Sequence, residues 1–474
     1  MFKNMTKKEL RILIILCAAL VVAFALLITI TALISDEGRL SYELQADGTY
    51  EVTDVKNTYR GGWFAKDTIV VPATHKGVAV TSINKLNLQK TQNVEIPEGI
   101  TTIKSNAFYG TSIVSVKLPT TVTSIGSNAF SGCVNLTEIN IPNITTLADG
   151  IFSNCTSLTG INIPESVTKI GNEAFSGCTK LASLTIPDGV TSLGNSAFSG
   201  CTELVSLTIP DGVTSLGNSA FSGCTQLKSL VLSANLTSIG TTAFDGCEKL
   251  EYNEYQDGFY LGSNANSYAV LVYAKENVTT FEINGSTKII YDLALSGQTE
   301  LKTVSIPQSV LTIGNKVFSN CTKLTTVSIP QSVTSIAKNA FDRCEKLESI
   351  SVAADNANYS SVDGILYNKS KTEFVAVPLS VTSANIPSTI TAIPANTFAN
   401  CAKLTTVTIP SSVKSIGAKA FIGCANLTSV IFENTDNWKA DTMALGARDL
   451  ADAQTAATLL IKTHVDKTWT REEK

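Results

Sequence analysis

The stretch SLTIPDGVTSLGNSAFSGCT occurs twice, letter for letter, at 183–202 and again at 206–225. A chain that returns to the same residues every 23 positions is building one structural unit repeatedly. Within 181–203, Leu181, Leu184 and Ile186 form an LxxLxI strand whose apolar side chains point inward. Pro187 has no N–H to donate and ends the ladder, and Asp188-Gly189 supplies a turn. Val190 and Leu193 face the core from a second short extended segment, and NSAFSGC is expected to close the coil as a helical turn burying Ala197, Phe198 and Cys201. One such coil cannot hide its own apolar face. Stacked coils can, because each buried position becomes a column.

The same pattern runs along most of the chain. Ile-Pro or Leu-Pro recurs at 96–97, 118–119, 141–142, 163–164, 186–187, 209–210, 306–307, 329–330, 386–387 and 409–410. Eleven residues after most of these prolines stands a phenylalanine, and in most copies a cysteine follows three residues later. The predicted core ladder therefore includes Phe175, Phe198 and Phe221 beside Cys178, Cys201 and Cys224. The fold class this predicts is a mainly β solenoid with 22–23-residue coils.

The repeated LxxLxIPxxVTSIGxxAFxxCxx resembles the BspA-like leucine-rich repeat, a variety found on bacterial surface proteins. The resemblance covers roughly 69–433. It implies an adhesive or ligand-binding role at a cell surface. YELQADGTYEVTDV at 42–55 resembles the hairpin that precedes such arrays, and the residues from Ala447 to Glu473 resemble the element that closes them. The expected organisation is a capping hairpin region at 35–68, the array at 69–433 and a cap at 434–474. Two interruptions near 251–280 and 353–385 each carry a hairpin of one design, beginning at Asp257-Gly258 and Asp363-Gly364.

Ahead of the array, ILIILCAALVVAFALLITITALI at 12–34 carries no charge. As a helix it would be about 34 Å long, enough to cross a bilayer. A cleaved signal peptide has a shorter apolar region and a small-x-small exit, whereas this run leaves through TALISDEG. Lys3, Lys7, Lys8 and Arg11 precede it; Asp36 and Glu37 follow. The reading is an uncleaved single-pass signal anchor, with residues 1–11 as a cytoplasmic stub and the bulk of the chain extracellular.

Only 16% of the 474 residues are charged and the net charge is -4, which disfavours a nucleic-acid partner. Catalytic signatures are missing: there is no GxSxG elbow, phosphate-cradling glycine loop or HExxH, and the two histidines, His75 and His464, lie near opposite ends. No enzyme, cofactor or metal is expected. All cysteines except Cys17 share one phase of the repeat, with no CxxC, so they read as buried free thiols filling space rather than as metal ligands or disulfides.

Two groups are candidate ligand contacts. Ser183, Thr185, Ser206 and Thr208 flank the second apolar position of their strands, as do Thr303/Ser305 and Thr326/Ser328. They would either offer an uncharged hydroxyl surface to a partner or simply suit an exposed strand. The interruptions hold seven of the twelve tyrosines, among them Tyr260, Tyr268, Tyr273 and Tyr367. Clustered tyrosines suit recognition, while the alternation in SYAVLVYA suits pinning the hairpin to the core. The partner expected is an extracellular protein or glycan; the alternative is a structural spacer without a dedicated ligand, with a cryptic enzyme ranked below both.

Overall fold

The computed structural model describes residues 40–55, 68–88 and 93–472. The proposed anchor at 12–34 and the stub before it lie outside the described residues. Among the described residues no helix is long and apolar enough to cross a membrane. The chain divides into two compact units, one of Met1–Leu207 with Ser219–Leu227 and Phe244–Lys249, the other of Thr208–Asn218 with Lys228–Ala243 and Leu250–Lys474.

In the first unit the strand Leu40–Leu44 runs antiparallel to Tyr50–Val55, and Tyr50–Val55 then pairs in parallel with Val78–Ile83. From there each coil contributes to two parallel ladders. One contains Thr68–Val70, Asn93–Glu95, Ser115–Lys117 and Glu138–Ile139, and Gly160–Ile161 pairs in the same way with Ser183–Leu184. The other continues from Val78–Ile83 through Thr102–Ile103 and Ser124–Ile125; farther along, Thr146–Leu147, Lys169–Ile170 and Ser192–Leu193 pair in turn. Leu147, Ile170 and Leu193 are register partners, so one period of sequence is one rung. Strands this short hold because coils above and below bury their apolar side.

The third side of the coil differs from the helical turn expected for NSAFSGC. It is a pair of tight turns with two left-handed residues, Ser196 (φ 53°) and Gly200 (φ 72°). A left-handed residue every fourth position stops α-helix propagation. It also turns alternate N–H groups outward, toward the next coil. In the preceding copy the N–H groups of Glu173, Phe175 and Gly177 donate to the carbonyls of Asn195, Ala197 and Ser199 at 2.7–2.8 Å, while those of Ser176 and Cys178 close the local turns at 3.1 Å. The turn side is thereby a third hydrogen-bonded layer between coils.

Inside, the phenylalanines stack. Ring centroids from Phe108 through Phe130, Phe152, Phe175, Phe198 and Phe221 to Phe244 lie 5.0–6.3 Å apart with interplanar angles of 0–21°. Cys178, Cys201 and Cys224 are free and buried beside them. They do more than fill space. Each thiol donates to the carbonyl of the phenylalanine one coil earlier, Cys178 to Phe152 at 3.1 Å, Cys201 to Phe175 at 3.2 Å and Cys224 to Phe198 at 3.1 Å.

The second unit carries both interruptions. Asn253–Tyr255, Gly258–Leu261 and Val270–Ala274 form an antiparallel meander whose last strand joins the parallel ladder through Ile289–Ile290. Tyr359–Val362, Ile365–Asn368 and Phe374–Ala376 form a second meander, also with a register shift between its last two strands, but it stands as its own three-stranded sheet. Its middle strand separates two cores: Leu366 packs into the cluster that includes Tyr260 and Phe318, while Ile365 and Tyr367 pack into the cluster that includes Phe398 and Trp469. At the C-terminal end, Trp469–Arg471 pairs antiparallel with Ser415–Ile416 and with Trp438–Ala440, covering a strand edge that would otherwise stay open.

Candidate ligand-binding faces

Hydroxyl groups are abundant at several phases of the repeat, and at three of these phases they are engaged within the array. Where a threonine follows the cysteine it reaches back one coil: Thr179 Oγ1 donates to the Thr156 carbonyl at 3.3 Å and Thr202 to Thr179 at 3.1 Å. The threonine of VTS does the same, Thr168 to Thr145 at 3.2 Å and Thr191 to Thr168 at 3.3 Å. A third column lies in the proline turn, where Ser166, Ser309, Ser332 and Ser412 each donate at 2.7 Å to a carbonyl 22 residues earlier. These side chains satisfy backbone acceptors that strands only two or three residues long leave over.

The strand face is different. Ser183, Thr185, Ser206 and Thr208 are exposed, as are Thr303, Ser305, Thr326 and Ser328. Among the described residues none of these eight side chains makes a hydrogen bond within the protein. Parallel pairing sets Thr303 and Ser305 beside Thr280 and Glu282, and Thr326 and Ser328 beside Ser349 and Ser351, about 4.8 Å from strand to strand. The first coils of the same face carry charge at Glu95, Lys117 and Glu138. The strands at 183–185, 206–208, 303–305 and 326–329 carry none.

The tyrosines separate into two classes. Tyr260 and Tyr367 are fully buried (0% exposed) and cannot be ligand contacts. Tyr260 packs edge-on against Tyr268 at 5.6 Å and its oxygen accepts from the Asn284 N–H at 3.3 Å. Burial pushes the phenol of Tyr260 up, and that of Tyr367 further, with Asp363 adding to the effect. Tyr268 is half-buried. Tyr273 is 40% exposed and stacks on Phe259 with centroids 4.4 Å apart, with Tyr252 set edge-on to it at 5.1 Å. Lys275 Nζ stands 5.7 Å from the Phe259 ring and 3.5 Å from Glu254. Phe259 was not singled out from the sequence. In DGFYLG it adjoins Tyr260, and strand alternation turns the two to opposite faces.

The ladder residues Phe175, Phe198, Phe221, Cys178, Cys201 and Cys224 are fully buried. Burial raises the thiols of Cys178 and Cys224 to about 12 and pushes Cys201 well above the ordinary range. Such thiols stay protonated at neutral pH and are poor nucleophiles. No group of three or more His, Cys, Asp or Glu that could hold a metal ion occurs among the described residues.

Short parallel rungs, a proline turn and a stacked phenylalanine column define a leucine-rich-repeat protein. The family model for the BspA type leucine rich repeat region matches residues 81–167, 145–272, 266–384 and 368–441, and the chain belongs to that family. It is similar to a leucine-rich repeat protein from Bacteroides ovatus, at 26% identity over 83% of this chain and 92% of that one, with a TM-score of 0.41. It is also similar to the leucine rich repeat protein of T. pallidum, at 30% identity over 45% of this chain and 88% of that one, with a TM-score of 0.34. A third similar structure is a leucine rich cell surface protein from Faecalibacterium prausnitzii, at 26% identity over 83% and 74%, with a TM-score of 0.26. No curated protein matches the chain.

Proposed function

We propose that this chain is a cell-surface binding protein. Residues 12–34 hold it in the membrane with the N-terminus in the cytoplasm, and the array outside serves adhesion to an extracellular protein or glycan. The observation that carries this reading is the strand face, where eight exposed hydroxyls remain unengaged while those at three other phases are tied to backbone carbonyls. The uncharged run at 12–34 and its basic leading flank support the placement. No catalytic role is part of the proposal, and nor is a cofactor or a nucleic-acid partner.

The test uses the full-length chain expressed in a bacterial host. It should sediment with membranes, resist carbonate extraction and be cut by protease added outside intact cells. Those cells should adhere, saturably, to some members of a panel of immobilised matrix proteins and glycans. Recovery of a mature protein beginning near residue 35 in the medium would refute the anchor. Adhesion no greater than that of cells lacking the chain, across the whole panel, would leave a spacer role.

A further inference from the structure

We infer that Asn284 is a self-modification site: the Gly285 backbone nitrogen closes on the Asn284 side-chain carbonyl carbon, and the amide ends as a carboxylate. No ligand or second protein takes part, so the reaction is independent of the binding role proposed above.

Asn-Gly occurs once in the chain, at 284–285, in the turn after the strand Thr280–Glu282. Every other asparagine is followed by a residue that bears a side chain. Ring closure also needs a backbone N–H that is free to attack, and the repeat turns engage it. The N–H after Asn128 donates to the Gly126 carbonyl at 3.3 Å and that after Asn154 to Phe152 at 3.1 Å. The N–H groups after Asn320 and Asn400 donate to Phe318 at 3.0 Å and to Phe398 at 3.2 Å. Gly285 differs. It is exposed, its N–H donates to no acceptor among the described residues, and an added Cβ would meet nothing within 4 Å.

The electrophile and the leaving group are set as well. Asn284 Oδ1 accepts from the Ser286 N–H at 2.9 Å, and the Ser286 hydroxyl stands 2.7 Å from the same oxygen and 2.9 Å from Asn266 Oδ1. A hydroxyl has one proton to give, and the more highly charged oxygen draws it. As Gly285 N bonds to Cγ, Asn284 Oδ1 takes the negative charge of the tetrahedral intermediate. Donors aimed at charge that develops during a reaction lower its barrier, because they bind the transition state better than the starting state. The leaving nitrogen, Asn284 Nδ2, donates to no acceptor among the described residues. Asn266 is also followed by a small residue, Ser267, but its Nδ2 is held by the Ser286 carbonyl at 2.8 Å.

In the first step the bond from Gly285 N to Cγ forms and the bond from Cγ to Nδ2 breaks. The Gly285 amide proton passes to solvent, and Nδ2 takes a proton from solvent and leaves as ammonia. Solvent water then opens the succinimide. Attack at the side-chain carbonyl gives aspartate; attack at the main-chain carbonyl gives isoaspartate, whose backbone runs on through Cβ and Cγ. The second product matters to the fold. The Asn284 carbonyl accepts from the Thr287 N–H at 3.0 Å, and the Asn284 N–H donates to the buried Tyr260 oxygen at 3.3 Å, tying the first interruption to this turn. An extra backbone carbon between Asn284 and Gly285 disrupts that turn.

The experiment ages the full-length chain in detergent micelles at pH 8, beside the same chain held unfolded in denaturant, and follows both by peptide mapping with mass spectrometry. In the native chain the peptide containing Asn284 should gain the mass of an amide-to-acid exchange before any other asparagine peptide. Ammonia should be released in step, and an isoaspartyl methyltransferase should label that peptide. Gly285→Ala fits the turn, since its Cβ meets nothing and its φ is outside the left-handed region. It should slow the conversion at least about tenfold with an unchanged thermal midpoint. Ser286→Ala removes the hydroxyl donor and should slow it about 2- to 13-fold. Asn284 still intact in the native chain once the unfolded chain has converted there overturns the inference. So does earlier conversion of another asparagine in the native chain, or an undiminished rate in Gly285→Ala. A Ser286→Ala rate equal to or above that of the parent chain overturns the part given to the hydroxyl.

Discussion

Gly189 and Gly194 are separated by five residues, and both look like ordinary turn glycines, yet replacing each by alanine should move stability in opposite directions. At Gly189 an added Cβ would lie 3.5 Å from the Glu165 carbonyl oxygen and 3.6 Å from that of Val167, ordinary contact distances. Its φ is outside the left-handed region, so alanine fits there. The expected effect is a gain of about 0.4–1 kcal/mol from the smaller freedom of the unfolded chain. At Gly194 the Cβ would lie 2.4 Å from the backbone nitrogen of Asn172 and 2.5 Å from the carbonyl carbon of Gly171. These are backbone atoms of the preceding coil and no rotamer change can move them aside. The coils must separate locally, straining the Gly194 N–H to Ile170 carbonyl bond at 2.9 Å and the bond from the Asn195 N–H to Asn172 Oδ1 at 2.8 Å. Overpacking of this kind costs about 1–3 kcal/mol, against which the entropic gain is small. Because each coil answers mainly to its neighbours, a global melt would dilute the effect. Native-state hydrogen exchange resolves it. The amides of residues 168–178 and 190–200 should exchange about 5- to 150-fold faster in Gly194→Ala and no faster in Gly189→Ala. Equal protection in the two variants would refute the close approach of the coils at Gly194.

The thiol column offers two more tests. Cys201→Ser keeps a donor for the Phe175 carbonyl, now 3.2 Å from the thiol, whereas Cys201→Ala leaves that buried acceptor short by one bond; alanine should therefore cost more, by about 1 kcal/mol, measured by exchange of the neighbouring amides. The thiols of Cys178, Cys224, Cys321, Cys344 and Cys424 are raised by burial from 9.0 to about 12. Folding thus favours their protonated form; the contribution is complete below pH 9 and is lost as pH rises from there toward 12. A denaturant titration should show stability falling over that window, and a flat profile would contradict burial of the column. At pH 8 iodoacetamide should label the ten cysteines from Cys133 to Cys424 only after denaturation.

A repeat of 23 residues is itself a statement about which side chains are equivalent, and the apolar spacing within it says which face inward. That is why the phenylalanine and cysteine columns, the proline turns and the two interruptions were all legible in the chain. Burial follows from composition at a single phase, so each coil testifies for every other. Hydrogen bonding repeats with the period too, but which phase bonds is not written in the residue types. Thr191 and Thr208 are the same residue on the same kind of short strand or its flank, yet Thr191 meets a carbonyl 23 residues earlier and Thr208 meets solvent. The two stand at different phases of the repeat, and only the stacking sets which phase has a carbonyl of the preceding coil within reach. The aromatics of the interruptions make the same point: Phe259 and Tyr260 are adjacent and of similar size, and only the sheet's packing shows that Tyr260 is the one in the core while Phe259 stacks on the exposed Tyr273. Periodicity decides what repeats. Where a strand breaks the period, or a hydroxyl must choose between a neighbour and water, only the stacked coils supply the distances that decide it.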